Sequence, residues 1–341
     1  MRALLISPDP SSNTGGVERF CHLLAAVLES AGWTTGLIGP TARVPAGLAR
    51  LGLEPSLQAV SVTKQARAEH ADLVIGNGFL GGPAGRHRIH VFHGTMVKHV
   101  AAGEPGSRRY RLRQALGGGV PEALCGRGAR TVAVSSSTAN ELERFYRQRV
   151  DAVIPNGVDT SLFAPGDRGA ARDRLRLDAG SAYALFVGRF EYRKGADLVP
   201  DACRRAGFTL LVAGSGAPPS ARALGVLRPD ELAHAYRAAD CVVFPTRYEA
   251  CSFVVLEALA SGVPTVTTPV GWMGDFLRSC PGYSRFIVRP DPDSVAVALR
   301  RVGTSDSAAL LAQAREYVER HNGLAAFGDR WVELISEVLA T

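Results

Sequence analysis

The chain has 341 residues, enough for about two domains at roughly 150 residues per domain. Hydrophobic residues account for 46% of the sequence and charged residues for 21%, which excludes a disordered, collagenous or fibrous protein. The net charge of +7 suits an anionic ligand or an anionic surface, but it is too diffuse to indicate a nucleic-acid-binding protein.

Neither the cysteines nor the N-terminus points to secretion. The apolar stretch at the N-terminus ends at Pro8 and is too short for a signal peptide. No apolar run reaches the length of a transmembrane helix, about 18 residues. The expected location is the cytoplasm, with the inner face of a membrane as the alternative. Six cysteines without a CxxC pair or zinc-site spacing fit a reducing compartment: Cys21, Cys125, Cys203, Cys241, Cys251 and Cys280.

Short apolar runs alternate with amphipathic stretches along the whole chain. The runs predict buried strands at Ala3–Ile6, Gly36–Gly39, Leu73–Gly76, Ile89–Phe92, Thr131–Val134, Ala152–Ile154, Ala184–Val187, Thr209–Ala213, Cys241–Phe244, Thr265–Thr267 and Phe286–Val288. The stretches predict helices at Val17–Ala31, Thr138–Arg149, Gly195–Ala206, Asp230–Ala238, Phe253–Ser261, Ser294–Val302 and Leu324–Leu339. This alternation predicts an α/β fold with parallel sheets.

Eleven strands are many for one open sheet, so two doubly wound domains are expected. The segment Pro155–Gly180 is rich in Gly, Asp and Pro, as a boundary between domains should be. A ligand would then bind in a cleft faced by the carboxyl ends of both sheets.

The first candidate site residues are Gly15 and Gly16, between the first strand and the first helix. Adjacent glycines let backbone N–H groups approach an anion at a helix N-terminus. The spacing is not that of the dinucleotide fingerprint GxGxxG, and a plain tight turn explains the pair equally well.

A charged loop, FVGRFEYRKG, follows the predicted strand Ala184–Val187. Arg189 and Lys194 lie in it, and Lys194 is one of only three lysines in the chain. Two cations at the carboxyl end of a strand can clamp a diphosphate, so the phosphate interpretation is favoured over a solvated loop.

Two carboxylates, Glu249 and Glu257, lie eight residues apart in EACSFVVLE. Glu249 is expected in the turn before an apolar helix, and Glu257 inside that helix. A carboxylate in such surroundings needs a partner, either a pair of sugar hydroxyls or a neighbouring arginine.

His93 ends the run IHVFHGT and is a candidate substrate contact, with a structural histidine as the commoner alternative. The trio His87, His90 and His93 cannot converge on a metal, because only alternate residues of a strand share a face. Asp291-Pro-Asp293 resembles a DxD metal site but is interpreted as a helix cap and turn. No metal is expected.

The segment Arg108–Arg113 is the densest basic patch of the sequence. A solvated helix face is the plainer interpretation, and contact with an anionic membrane or an anionic acceptor is the functional one.

Taken in order, these motifs resemble the family 4 retaining glycosyltransferases, which have the two-domain GT-B fold. The matching segments are the Gly-Gly loop, the strand-end histidine, SSSTANEL, IPNGVDTSLF, FVGRFEYRKG, LLVAGSG, the E-x7-E segment, SGVPTVTTPVG and a terminal helix. The resemblance implies an N-terminal acceptor-side domain at 1–163, a nucleotide-sugar domain at 164–321, and a helix at 322–341 that crosses back to the first domain.

The resemblance also implies roles for the candidate residues. Arg189 and Lys194 would bind the donor diphosphate, and Glu257 would hold the ribose. Glu249 and the backbone of Ala250, Cys251, Ser252 and Phe253 would hold the donor sugar. Gly15 and Gly16 would lie beside the phosphates, and His93 near the reacting centre.

The implied activity is metal-independent transfer, with retention, of a hexose-type sugar from a nucleoside diphosphate sugar to a hydroxyl group. UDP is favoured over GDP, no cofactor is expected, and the acceptor is a glycan, a glycolipid or a secondary metabolite. The alternatives are a sugar-nucleotide 2-epimerase of the same fold and an NAD-dependent oxidoreductase, which the missing glycine fingerprint disfavours.

Overall fold

A computed structural model of the chain describes residues 1–12, 15–41, 54–103, 108–302 and 307–341, without the side chains of residues 109, 110 and 307. The chain divides into two compact units, one formed by Met1–Gly157 with Ala325–Thr341 and the other by Val158–Leu324. The boundaries expected from the sequence, 163/164 and 321/322, lie a few residues from these.

Unit 1 contains a parallel six-stranded sheet in the order β2-β1-β3-β4-β5-β6. Its strands are β1 Arg2–Ile6, β2 Thr34–Ile38, β3 Leu73–Asn77, β4 His87–Phe92, β5 Arg130–Ala133 and β6 Ala152–Val153. Its described helices are α1 Gly16–Ser30, α2 Glu54–Ala68, α3 Met96–Ala101, α4 Arg108–Cys125, α5 Ser136–Tyr146 and, at the end of the chain, α13 Leu324–Leu339.

Unit 2 contains a parallel five-stranded sheet in the order β11-β10-β7-β8-β9. Its strands are β7 Tyr183–Val187, β8 Thr209–Ala213, β9 Arg222–Gly225, β10 Cys241–Phe244 and β11 Thr265–Thr267. Its described α-helices are α6 Arg168–Arg174, α7 Val199–Ala206, α8 Pro229–Ala238, α9 Phe253–Ala260, α10 Trp272–Ser279, α11 Pro292–Arg300 and α12 Ser307–Asn322.

The predicted α/β class with two doubly wound sheets is confirmed. Strands β3, β7 and β10 are buried along their whole length, which is why they appear in the sequence as continuous apolar runs. Helices cover both faces of such sheets because each parallel connection must cross over the sheet.

Two predicted elements differ from the structure, and one strand was not predicted. Phe286–Val288 makes only an isolated bridge at Ile287, since a 3₁₀ helix, Pro281–Phe286, uses the residues before it. Strand β9 was missed because this exposed edge strand has no apolar run. The helix expected at Gly195–Ala206 is two 3₁₀ turns followed by α7, because Gly195 adopts a φ of +72° and breaks the α-helical path.

The last helix, α13, belongs to unit 1 and packs on α1. The ring of Phe20 on α1 lies 5.6 Å from Trp331 and 6.1 Å from Phe327, both edge-on. All three side chains are buried. At the end of the helix, the carbonyl oxygen of Val338 lies 3.0 Å from Nδ1 of His87 on β4.

The two ends of unit 2 are joined to each other. The N–H of Val158 donates to the carbonyl oxygen of Asn322 at 2.8 Å, and Val158 forms a parallel bridge with Gly323. Within the described ranges, every helix is too short or too polar to span a lipid bilayer.

Candidate active site

The strand order of unit 2 places two loops of the chain side by side. Strands β7 and β10 are neighbours. The next strand after each lies on the outer side of this pair, β8 beside β7 and β11 beside β10. The loops after both strands, 188–198 and 245–252, therefore leave from the same edge of the sheet. Ligands of open α/β sheets bind at such a reversal of strand order.

The loop after β7 carries the two predicted diphosphate-binding cations in different settings. The Arg189 side chain is 74% exposed and its Nε lies 3.6 Å from the carboxylate of Glu191. Lys194 packs inward, with Nζ 5.5 Å from the centre of the Phe244 ring. Burial lowers the pKa of Lys194 below its usual range, and the nearby Glu249 carboxylate opposes that shift. The pair thus offers one solvent-accessible fork and one half-buried point charge.

Arg193 links the two loops and was not singled out from the sequence. Its Nη1 donates to Oε1 of Glu249 at 3.3 Å and to the carbonyl oxygen of Tyr248 at 3.0 Å. Its Nη2 donates to Oε1 of Glu191 at 2.6 Å. The Arg193 and Glu249 side chains are only 14% and 20% exposed, so this ion pair is better shielded from water than a surface pair. The carboxylate of Glu249 is therefore held by an arginine from the loop that follows the neighbouring strand, β7.

A second arginine strengthens the same connection. The guanidinium of Arg247 donates to both carboxylate oxygens of Asp197, at 2.6 and 2.8 Å, and stacks 3.7 Å from the centre of the Tyr192 ring. The N–H of Arg247 also donates to the carbonyl oxygen of Arg193 at 2.8 Å. The only sequence signal for these two arginines was their position in charged loops next to candidate residues.

Glycines let the loop backbones approach one another closely. Gly195 adopts a φ of +72°, and a Cβ there would collide with the carbonyl of Pro245. Gly271, after β11, adopts a φ of +59°, and a Cβ there would collide with the carbonyls of Glu249 and Ala250. Next to it, the N–H of Trp272 donates to the carbonyl oxygen of Ala250 at 2.7 Å. The segment that carries Glu249 is thus supported from both adjacent loops.

The segment after Glu249 turns directly into α9. Ser252 is its N-cap, with Oγ accepting from the N–H of Val255 at 3.4 Å. The side chains of Ala250, Cys251 and Phe253 are buried, so these residues can offer a ligand only backbone groups. That agrees with the backbone role the resemblance implies, which stays a prediction.

Glu257 lies on α9 and is fully buried. Its Oε2 accepts from the hydroxyl of Tyr236 on α8 at 2.8 Å, a partner that nothing in the sequence pattern indicates. The expected alternatives for this carboxylate were sugar hydroxyls or an arginine. The ribose contact stays a prediction, and it requires the packing around the carboxylate to open.

In unit 1, Gly15 and Gly16 begin α1. Gly15 is the N-cap, with φ −86°, and its carbonyl oxygen accepts from the N–H of Arg19. The carboxylate of Glu18 lies against Gly15, in the space that a side chain would need. The pair is therefore part of a close turn whose anion-binding role is still a prediction.

His93 follows β4 and is half-buried. Its Nε2 lies 2.8 Å from Oδ1 of Asn77, the last residue of β3, and its ring meets that of Phe20 edge-on at 4.7 Å. Burial lowers the pKa of His93 to about 3. Asn77 was not predicted as a site residue. The pattern that made His93 a candidate, a polar residue at the end of a buried strand, also applies to Asn77.

Two predictions against metal-site motifs can be compared with the structure. Asp291 caps α11, with its Oδ1 accepting from the N–H of Ser294 at 2.8 Å, so the predicted cap is confirmed. The histidines His87, His90 and His93 have three different partners. In the described part of the chain, no group of three or more His, Cys, Asp or Glu has the geometry of a metal site.

The basic patch lies at the beginning of α4. Arg108 and Arg113 are exposed and Arg111 is half-buried, whereas the side chain of Arg109 lies outside the described residues. Farther along, the same helix exposes four apolar side chains at intervals of four residues: Leu112 (61% exposed), Leu116 (56%), Val120 (53%) and Leu124 (52%). We refer to these four residues as the α4 ridge.

Comparison with known families identifies the chain. The model of glycosyltransferase family 4 matches residues 14–162, and the model of glycosyl transferases group 1 matches residues 181–305. The chain belongs to the glycosyltransferases that these two models describe. The predicted family resemblance is thereby confirmed.

Curated relatives agree with the family. A D-inositol 3-phosphate glycosyltransferase of Segniliparus rotundus is 35% identical over 210 residues, which cover 54% of this chain and 46% of that protein. The protein of the same name from Geodermatophilus obscurus is 32% identical over 272 residues, covering 68% of this chain and 59% of that protein. The chain thus spans about half the length of the curated relatives it matches.

Solved structures establish the GT-B fold. Sucrose-phosphate synthase from Thermosynechococcus elongatus superposes with a TM-score of 0.80 and 22% identity, covering 99% of both chains. The Anabaena protein HepE, in complex with UDP and glucose, superposes with a TM-score of 0.72 and 16% identity, covering 99% of this chain and 100% of the other.

Proposed function

We propose that the protein transfers a hexose-type sugar from a nucleoside diphosphate sugar to a hydroxyl group of an acceptor, with retention at the anomeric carbon and without a metal. The observation that carries the proposal is the convergence of Arg189, Lys194 and Glu249 where β7 and β10 adjoin, in a member of a glycosyltransferase family.

The chemistry assigned to unit 2 is the stabilisation of the leaving group. As the bond between the anomeric carbon and the phosphate oxygen breaks, negative charge grows on the diphosphate. Arg189 and Lys194 would balance that charge. The acceptor oxygen bonds to the anomeric carbon on the same face, and the acceptor proton passes to the departing phosphate oxygen. Glu249, held by Arg193, would bind hydroxyls of the donor sugar.

UDP is the favoured nucleotide and GDP the alternative. The Anabaena protein HepE, similar in fold, has been solved with UDP and glucose, which makes UDP-glucose the first donor to test. For the acceptor, the names of the curated relatives add a phosphorylated polyol to the glycans, glycolipids and secondary metabolites already proposed.

The first test is thermal stabilisation by UDP, GDP, ADP, TDP and NAD in the presence of EDTA. A ligand at 100 times its Kd should stabilise the protein by about 2.7 kcal/mol. We expect one nucleoside diphosphate to stabilise the wild type but not Arg189→Ala. Arg204→Ala is the matched control, because Arg204 is also 74% exposed in unit 2 but lies on α7.

Product analysis then separates the alternatives. Transfer should consume the donor only when an acceptor is present and should release the nucleoside diphosphate. Conversion of the nucleotide sugar without an acceptor would identify the 2-epimerase, and stabilisation by NAD alone would favour the oxidoreductase. Either result would contradict the proposal.

We further propose that α4 contacts an anionic membrane surface. The arginines at its beginning supply positive charge, and the α4 ridge supplies apolar side chains that can enter the interface. Glu122 is the only acidic residue within 108–125, and it is buried. Helix α2, which packs against α4, adds exposed Val60, Lys64 and Arg67. Charge and apolar surface together favour a bilayer over a soluble anionic acceptor.

Vesicle flotation tests this contact. We expect the wild type to bind vesicles containing phosphatidylglycerol but not pure phosphatidylcholine, and the double variant Leu112→Glu/Leu116→Glu to lose binding. Val226→Glu is the control, since Val226 is a 70% exposed apolar residue of unit 2. Equal binding by the double variant, or no binding by the wild type, would contradict a membrane role for α4.

A further inference from the structure

The hydrogen bond between Asn77 and His93 decides which nitrogen of the His93 ring carries the proton. Strands β3 and β4 are parallel neighbours, so Asn77 at the end of one reaches His93 just beyond the end of the other. His93 Nε2 and Asn77 Oδ1 lie 2.8 Å apart. Asn77 is 2% exposed, so water does not compete for its amide.

The orientation of the Asn77 amide is fixed by a group that can only accept. Its Nδ2 lies 2.8 Å from the carbonyl oxygen of Ile6, at the end of β1. A reversed amide would set two acceptor oxygens against each other in a buried position, which is costly. Oδ1 must therefore face His93, and Nε2 of His93 must be the donor.

The surroundings also keep the ring neutral and in place. Burial lowers the pKa of His93 to about 3, with a smaller contribution from His90. The other titratable group in this cluster is the thiol of Cys21, 3.3 Å from Nδ2 of Asn77, and burial raises its pKa to about 12. Phe20 fixes the ring plane from α1. In the described residues, Nδ1 of His93 has no hydrogen-bond partner.

We propose that Asn77 is a positioning residue that holds His93 as the Nε2–H tautomer, so that Nδ1 accepts a hydrogen bond from a sugar hydroxyl of the bound substrate. His93 then recognises a hydroxyl proton and does not stabilise phosphate charge. The proposal deepens the proposed function, since it assigns the polarity of one contact in that site.

The tautomer can be measured without substrate. In ¹⁵N NMR of histidine-labelled protein, with His93 assigned from the signals lost in His93→Gln, we expect a protonated Nε2 and a bare Nδ1 with no titration between pH 5 and 8. His90 serves as an internal reference, because its Nε2 lies 2.7 Å from the carbonyl oxygen of Gly78 and does not depend on Asn77.

The variant Asn77→Asp tests the tautomer through the pH dependence of kcat/KM. A carboxylate can still accept from Nε2, but its charge raises the pKa of His93 toward neutrality. The protonated ring then donates from both nitrogens and loses its acceptor. We expect kcat/KM to fall by on the order of tenfold at pH 6.5 and to recover as the pH rises, while the wild type stays flat.

Two results would overturn the proposal: an Nδ1–H tautomer in the wild type, or a pH profile of Asn77→Asp parallel to that of the wild type although the His93 signals of that variant titrate between pH 5 and 8. The NMR result for the wild type does not need Asn77→Asp to fold. Failure of the proposed function is distinct, because it would appear as absent sugar transfer with the Nε2–H tautomer intact.

Discussion

Arg193 and Glu249 form an ion pair between two loops that follow adjacent strands, with Nη1 and Oε1 3.3 Å apart. Because the same guanidinium also binds Glu191 and the carbonyl oxygen of Tyr248, it fixes both loops at once. The carboxylate that is assigned to the donor sugar is thus oriented by a residue outside its own loop.

Replacing Arg193 should weaken the use of the donor. In Arg193→Met, the Glu249 carboxylate loses a charged hydrogen bond, an interaction of about 1.5–3 kcal/mol. Steady-state kinetics should show kcat/KM for the donor reduced by about tenfold or more, with partial rescue in Arg193→Lys. Arg205→Met, which removes ion pairs to Asp201 and Asp293 instead, should remain close to wild type. Equal losses in the two methionine variants would contradict the assigned role.

Removing the hydroxyl of Tyr236 should destabilise unit 2. The Glu257 carboxylate is fully buried, so losing one partner should cost about 1–3 kcal/mol. Thermal unfolding of Tyr236→Phe should shift down by about 2–4 °C per kcal/mol. Tyr192→Phe removes a hydroxyl from a residue that contributes its ring to Arg247, and should leave the Tm nearly unchanged. An unaltered Tm for Tyr236→Phe would mean that the carboxylate does not depend on this hydroxyl.

Glu122 should make the stability of unit 1 depend on pH. Burial raises the pKa of its carboxyl to about 7, with Glu141 as a charged neighbour that adds to the shift. The folded state therefore holds a proton that the unfolded state releases above about 4.5. The free energy of unfolding should fall as the pH rises from about 4.5 to about 7, by on the order of 3 kcal/mol.

The variant Glu122→Gln isolates this effect, because the amide cannot ionise. Urea unfolding at several pH values should show the wild type losing stability relative to Glu122→Gln between pH 5 and 7. The comparison is needed because burial lowers the pKa of His90 to about 4, which makes the protein less stable as the pH falls. A constant difference between the two proteins would show that Glu122 ionises normally.

The contact of α13 with α1 should be a large contribution to the stability of unit 1. Trp331 is fully buried against Phe20, so Trp331→Ala should cost about 3–5 kcal/mol. Val332→Ala, at a 39% exposed neighbouring position, should cost less than about 0.5 kcal/mol. Urea unfolding followed by circular dichroism measures both. Similar midpoints for the two variants would show that the helix contributes little.

The parallel sheets could be predicted because buried strands must be apolar on both faces, as in Leu73–Gly76. Edge strand β9 could not, since exposed Arg222 and its neighbours have no such constraint. Among site residues, Arg189, Lys194 and Glu249 share one edge of the unit 2 sheet, as their positions after strands indicated.

The partners of these residues were harder to predict. Arg193, Asn77 and Tyr236 meet their partners through register and packing between distant segments, which spacing along the chain does not encode. The hydrogen bond of the buried Glu257 carboxylate was hard to predict for the same reason, because the Tyr236 hydroxyl that donates to it lies on another helix.

The hydrogen bond between Val158 and Asn322 closes unit 2 into a continuous segment whose two ends touch. A segment with adjacent ends can be inserted into a host chain at a single point with little cost in loop entropy. Because their two ends are adjacent, residues 158–324 could be exchanged as one segment for the corresponding unit of another protein. Recombination at one position of unit 1 would replace the whole set of unit 2 loops while leaving the sheet that carries His93 uncut.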